Sequence, residues 1–167
     1  MSLAKNILLL IILIMTCILA ICYYSPGTVP WSFLITFLGL LWLFIQWRGR
    51  TWSGTIGFIV FSGAIIRAVY LDIPSGWLLA CMVLNLSAWD IDRFIARVRR
   101  AGEVERLEDM EFAHLMRLAS VAAAGLVLGS ITLLVKIRLS FGWMLFLSAC
   151  LVFIVSWLFD LLKKKPA

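Results

Sequence analysis

Eighteen consecutive residues, Ile7–Tyr24, carry no charge. As a helix rising 1.5 Å per residue they extend about 27 Å, close to the thickness of a bilayer's hydrocarbon core. Five further apolar runs follow: Trp31–Trp47, Trp52–Leu71 (with Arg67 inside it), Trp77–Trp89, Leu118–Val135 and Leu139–Phe159. In lipid every backbone amide must be bonded within its own segment, so runs of this kind become helices. The expected fold class is therefore all-α, a polytopic membrane protein of six transmembrane helices. Composition agrees, because only 14% of residues are charged and 63% are hydrophobic, whereas a soluble domain carries about 25% charged residues.

The charges are concentrated in one place. Asp90–Arg117 holds thirteen of the twenty-four formal charges and the single histidine, His114. The chain is thus expected to divide into 1–89 (transmembrane helices one to four), 90–117 (a charged cytoplasmic segment) and 118–167 (helices five and six with a basic C-terminal tail). With the N-terminus in the cytoplasm, twelve Lys and Arg residues fall inside and Arg67, Lys136 and Arg138 fall outside. Positive charge marks cytoplasmic loops, so both termini are expected inside, with the bacterial cytoplasmic membrane as the location. The formal net charge of +6 then points to anionic lipid rather than nucleic acid, for which no basic and aromatic soluble module is present.

Within 90–117 two helical pieces are expected, split at Ala101-Gly102. Ile91, Phe94, Ile95 and Val98 share one face of the first piece; Val104, Leu107, Met110 and Leu115 share one face of the second. The first piece is basic (Arg93, Arg97, Arg99, Arg100) and the second acidic (Glu103, Glu105, Glu108, Asp109, Glu111). Folding back at Gly102 makes a short helical hairpin between helices four and five, in which opposite charges such as Arg93 and Glu111 meet. The rival arrangement lays an arginine-rich helix on anionic lipid. Either way, Arg93, Arg97, Arg99, Arg100 and Phe94 are the candidate contacts to a partner or to lipid.

Two other groups carry expectations. Ala119-x-x-x-Ala123 and Gly125-x-x-x-Gly129 put small residues on one face of helix five, the pattern by which helices pack closely in lipid. Arg67 and Asn85 are candidates for the rim of a cavity; the plainer readings are an arginine that snorkels to the interface and an interhelical amide bond. A shift of 66 residues aligns Gly63–Leu79 with Gly129–Leu145 at six identical positions, consistent with a duplicated hairpin.

Chemistry is sparse. Cys17, Cys22, Cys81 and Cys150 all lie in apolar runs with no CxxC, which gives neither a zinc site nor a redox pair. One histidine excludes a bis-histidine haem. No Ser/His/Asp set, HExxH or glycine-rich phosphate loop is present, and no Asp, Glu, Lys or His falls near the expected midplane. The function expected is a non-enzymatic subunit or scaffold of a membrane complex, without catalytic residue, metal or cofactor. Its partners would be the lipid bilayer, other membrane-complex subunits and a cytoplasmic protein at residues 90–117. The alternative is a small-molecule transporter or a substrate-binding transport subunit.

Overall fold

The computed structural model describes residues 3–24, 29–49, 53–101 and 107–135. The chain separates into two units, Met1–Leu134 and Val135–Ala167, and every described residue except Val135 belongs to the first. Five helices occupy it: α1 (Leu3–Cys22), α2 (Val29–Trp47), α3 (Ser53–Val69), α4 (Ser75–Ala101) and α5 (Leu107–Val135). The all-helical class is therefore correct. Leu3–Cys22, Val29–Trp47 and, within α5, Asp109–Leu134 are long and apolar enough to cross a membrane, and Ser53–Val69 is a shorter apolar helix. The described residues do not establish the six-span count. The fourth run and the basic piece after it form one continuous helix, and the sixth run lies outside the described residues.

α1 packs on α4 and α2, and α3 packs on the same two helices. Each of the first three helices buries one stripe. On α1 it is Ala4, Leu8, Ile12, Met15 and Leu19; on α2, Ser32, Ile35, Gly39, Trp42 and Gln46; on α3, Gly54, Gly57, Phe61, Ile65 and Ala68. Steps of three and four keep such residues on one side of a 3.6-residue helix. The opposite sides are also apolar, with Leu10, Leu13, Phe33, Phe37 and Ile59 exposed. A helix that is hydrophobic all round needs a non-aqueous surrounding.

Local chemistry ends the helices. Pro30 lies in the first turn of α2, where its missing N–H costs nothing. Beyond α2, Gly49 has φ 75°, and its N–H donates to Gln46 O at 3.0 Å, a left-handed C-cap that glycine adopts without strain. After α3, Asp72 takes φ 54°, a conformation in which Asp is among the tolerated residues, and Pro74 precedes α4.

The tightest helix approaches are at Gly39, Gly54 and Gly57. A Cβ at Gly39 would lie 2.8 Å from Thr16 Cβ; one at Gly57 would meet the Trp42 ring; one at Gly54 would lie 2.9 Å from Asp92 Cβ. Glycine allows these approaches because it has no side chain. Close packing was expected on α5, and there the picture is mixed. A Cβ at Gly129 would lie 2.7 Å from Leu79 Cδ1, whereas among the described residues nothing lies within 4 Å of one at Gly125, and Ala119 and Ala123 are exposed. Spacing of small residues identifies a face that a helix can approach, but the neighbours decide which face is approached.

Candidate functional site

One group of buried polar side chains gathers at the end of the bundle where α1 starts and α2 stops. Asp92 on α4 is 6% exposed. Gln46 at the end of α2 donates its Nε2 to Asp92 Oδ1, and Ser53 at the start of α3 donates its hydroxyl to Gln46 Oε1 at 2.7 Å. Gly54 makes room for the carboxylate, since a methyl group there would overlap Oδ2. One amide thus links three helices and gives a buried acid a donor. Without that donor the carboxylate would be strongly disfavoured in this setting.

Sequence reasoning placed Asp92 in a water-facing segment beyond the apolar runs. The cleft beside it is lined jointly by Lys5, Leu8, Gln46, Ile95, Ala96 and Arg99. Asp92 is therefore level with the start of the apolar run Ile7–Tyr24 and the end of the run Trp31–Trp47. The sign available in the sequence was Gln46, a lone amide near the end of an apolar run that could pair with an acid on another helix. The cleft leaves about 20 Å³, room for one water molecule.

Around this centre, helix ends are closed from neighbouring helices. Glu111 of α5, also 6% exposed, accepts a hydrogen bond from the Ala4 N–H in the first turn of α1 at 3.4 Å; a carboxylate there satisfies an orphan donor and the positive end of the helix. At the end of α2, Lys5 Nζ donates to Trp47 O at 3.1 Å and Arg99 Nη1 donates to Gly49 O at 2.8 Å, so two cations meet the carbonyl end of that helix. His114 of α5 stacks on Phe94 of α4 with ring centroids 4.2 Å apart, and its Nε2 lies 3.0 Å from Asp90 Oδ2.

The expected site residues fall in different places. Phe94 is buried against His114, and Arg99 is in the cap of α2. Arg93 lies 5.0 Å from the centroid of the Trp89 ring, and Glu111, its expected partner, is bonded to α1. Arg97 and Arg100 are exposed. At the other end of the bundle Arg67 lies over the Trp31 ring at 3.9 Å, a cation–π contact between α3 and α2. Asn85 is completely buried. Its Nδ2 donates to Phe58 O at 3.1 Å and to Ser62 Oγ at 3.0 Å, which joins α4 to α3. Among the described residues no three His, Cys, Asp or Glu side chains are grouped to hold a metal ion.

No protein-family model, no curated protein and no solved structure matches this chain.

Proposed function

We propose that the chain is an integral membrane protein of six spans with both termini in the cytoplasm, in a bacterial cytoplasmic membrane. It acts there as a non-enzymatic subunit that holds other components of a membrane complex. One observation carries this reading: the buried Gln46, Ser53, Asp92 and Asn85 are engaged in helix-to-helix bonds, while the large open volumes are apolar and lie between helices. Gln46, Ser53, Asp92 and Asn85 lock α2, α3 and α4 together. By contrast, α1, α4 and α5 frame a groove of about 550 Å³ lined by residues such as Ile7, Ile11, Val83, Phe112, Met116 and Leu126. A partner helix that enters such a groove gains van der Waals contact and close backbone approach. The basic end of α4 supplies a second contact for a cytoplasmic partner.

The test is a photo-crosslinking amino acid placed in the native host at Met116, at Arg97 and, as a control, at exposed Ile59 on α3. A subunit gives a discrete protein adduct from Met116 or Arg97 and none from Ile59. No adduct from either position would refute it. The second reading, transport of a small molecule, is favoured by Asp92, an acid buried among membrane-length helices beside a cleft that admits water. Solute flux in proteoliposomes that disappears in Asp92→Ala would support that reading instead.

A further inference from the structure

Outside the bundle, α1 and α2 form a shallow apolar groove of about 560 Å³, lined by Leu9, Leu10, Leu13, Leu43, Phe44 and Trp47. Two cations mark its end. Lys5 donates to the carbonyl of Trp47, and the Arg48 guanidinium lies over the Phe44 ring, 4.7 Å from its centroid. Phe44 and Trp47 are groove residues themselves, so ammonium and guanidinium stand together where α1 begins and α2 ends. Among the described residues neither is paired with a carboxylate. Lys5 keeps two of its three donors, and a guanidinium stacked on a ring keeps its edge N–H groups for an acceptor.

An apolar trough with two cations beside one end, Lys5 next to Asn6 and Arg48 next to Trp47, complements an amphiphile with an anionic head. From Asn6 to Leu13 the trough runs about 10 Å along α1, within the depth of one leaflet's hydrocarbon, about 15 Å. A second copy of the chain fits poorly, because a two-fold axis along the membrane normal would set Lys5 and Arg48 against the same cations at the same level. We propose that this groove holds an acyl chain of an anionic glycerophospholipid, with the lipid phosphate bridging Lys5 and Arg48. The proposal rests on the reading that α1 and α2 cross a bilayer.

The full-length chain, purified and delipidated in detergent, is titrated with phosphatidylglycerol or with phosphatidylcholine of the same acyl chains, and retained lipid is counted by native mass spectrometry. The expected result is preferential retention of phosphatidylglycerol. Lys5→Gln with Arg48→Gln lowers its affinity about thirtyfold, or about fivefold per charge, and Arg97→Gln with Arg100→Gln leaves it unchanged. Leu10→Trp, at an exposed groove position, lowers retention of both lipids; Leu13→Trp serves if that variant does not fold. Millimolar inorganic phosphate does not displace the lipid. Equal retention of the two lipids, equal loss in both double variants, unchanged retention with the groove filled, or displacement by phosphate would each overturn the site. Release of the chain from membranes by alkaline carbonate would overturn the membrane reading itself, which separates the two failures.

Discussion

Gly54→Ala is expected to be among the most damaging single-methyl additions in this protein. The new Cβ would lie 2.5 Å from Asp92 Cγ and 2.9 Å from Asp92 Cβ, so the obstacle includes the stem of the side chain as well as its tip. Either α3 and α4 separate or the carboxylate leaves its pocket. Separation is overpacking, which costs about 1–3 kcal/mol. Displacing the carboxylate breaks its bond with Gln46 and leaves two buried groups unmatched, at about 1–3 kcal/mol for each group. The cheaper route sets the loss, roughly 1–3 kcal/mol. Asp92→Ala leaves Gln46 without its acceptor and opens a small void, for roughly 2 kcal/mol. It also removes the carboxyl group, the nearest atoms that the added methyl group strikes, but leaves the Cβ at 2.9 Å. The double variant should therefore lose less than the sum of the two single losses, a coupling of roughly 1–2 kcal/mol in a double-mutant cycle. Reversible unfolding of the three variants in mixed micelles measures this directly. Additive losses, or a Gly54→Ala variant within about 0.5 kcal/mol of the parent, would refute the placement of Asp92 against α3.

Gly57→Ala, whose Cβ would meet the Trp42 ring, should lower stability by about 1–3 kcal/mol in the same assay. Gly125→Ala should be neutral or stabilising by up to about 1 kcal/mol through helix propensity, while Gly129→Ala should lose about 1 kcal/mol or more because Leu79 must yield; equal values would show that α5 packs elsewhere. Asn85→Leu removes both amide bonds from α4 to α3 and should cost about 1–2 kcal/mol, with no loss if those bonds are unimportant. A cysteine replacing Gly102 in a cysteine-free chain should be labelled only from the cytoplasm, and one replacing Pro74 only from outside; reversed labelling would refute the orientation drawn from basic residues.

Hydrophobic content and the length of uncharged runs were enough to derive helices and an apolar exterior, because the backbone's need for internal bonds leaves a lipid-facing segment few other forms. The breaks after α2 and α3 are local as well, since Gly49 and Pro74 act through their own backbone geometry. The polar centre was not. Gln46, Ser53 and Asp92 are 46 residues apart at their extremes, and each alone fits an interfacial position. The sequence placed Asp92 in water because an acid beside arginines normally lies there. Burial became tolerable only when α2 supplied an amide donor and α3 a glycine at the same level. The same holds for Glu111, which the charge pattern paired with Arg93 and the packing gave to the start of α1. What residue order determined by itself is the helical, apolar character of the chain, a consequence of short-range backbone physics. Which polar groups meet was decided by the register between helices distant in sequence, and that register follows from side-chain fit at Gly39, Gly54 and Gly57 rather than from composition.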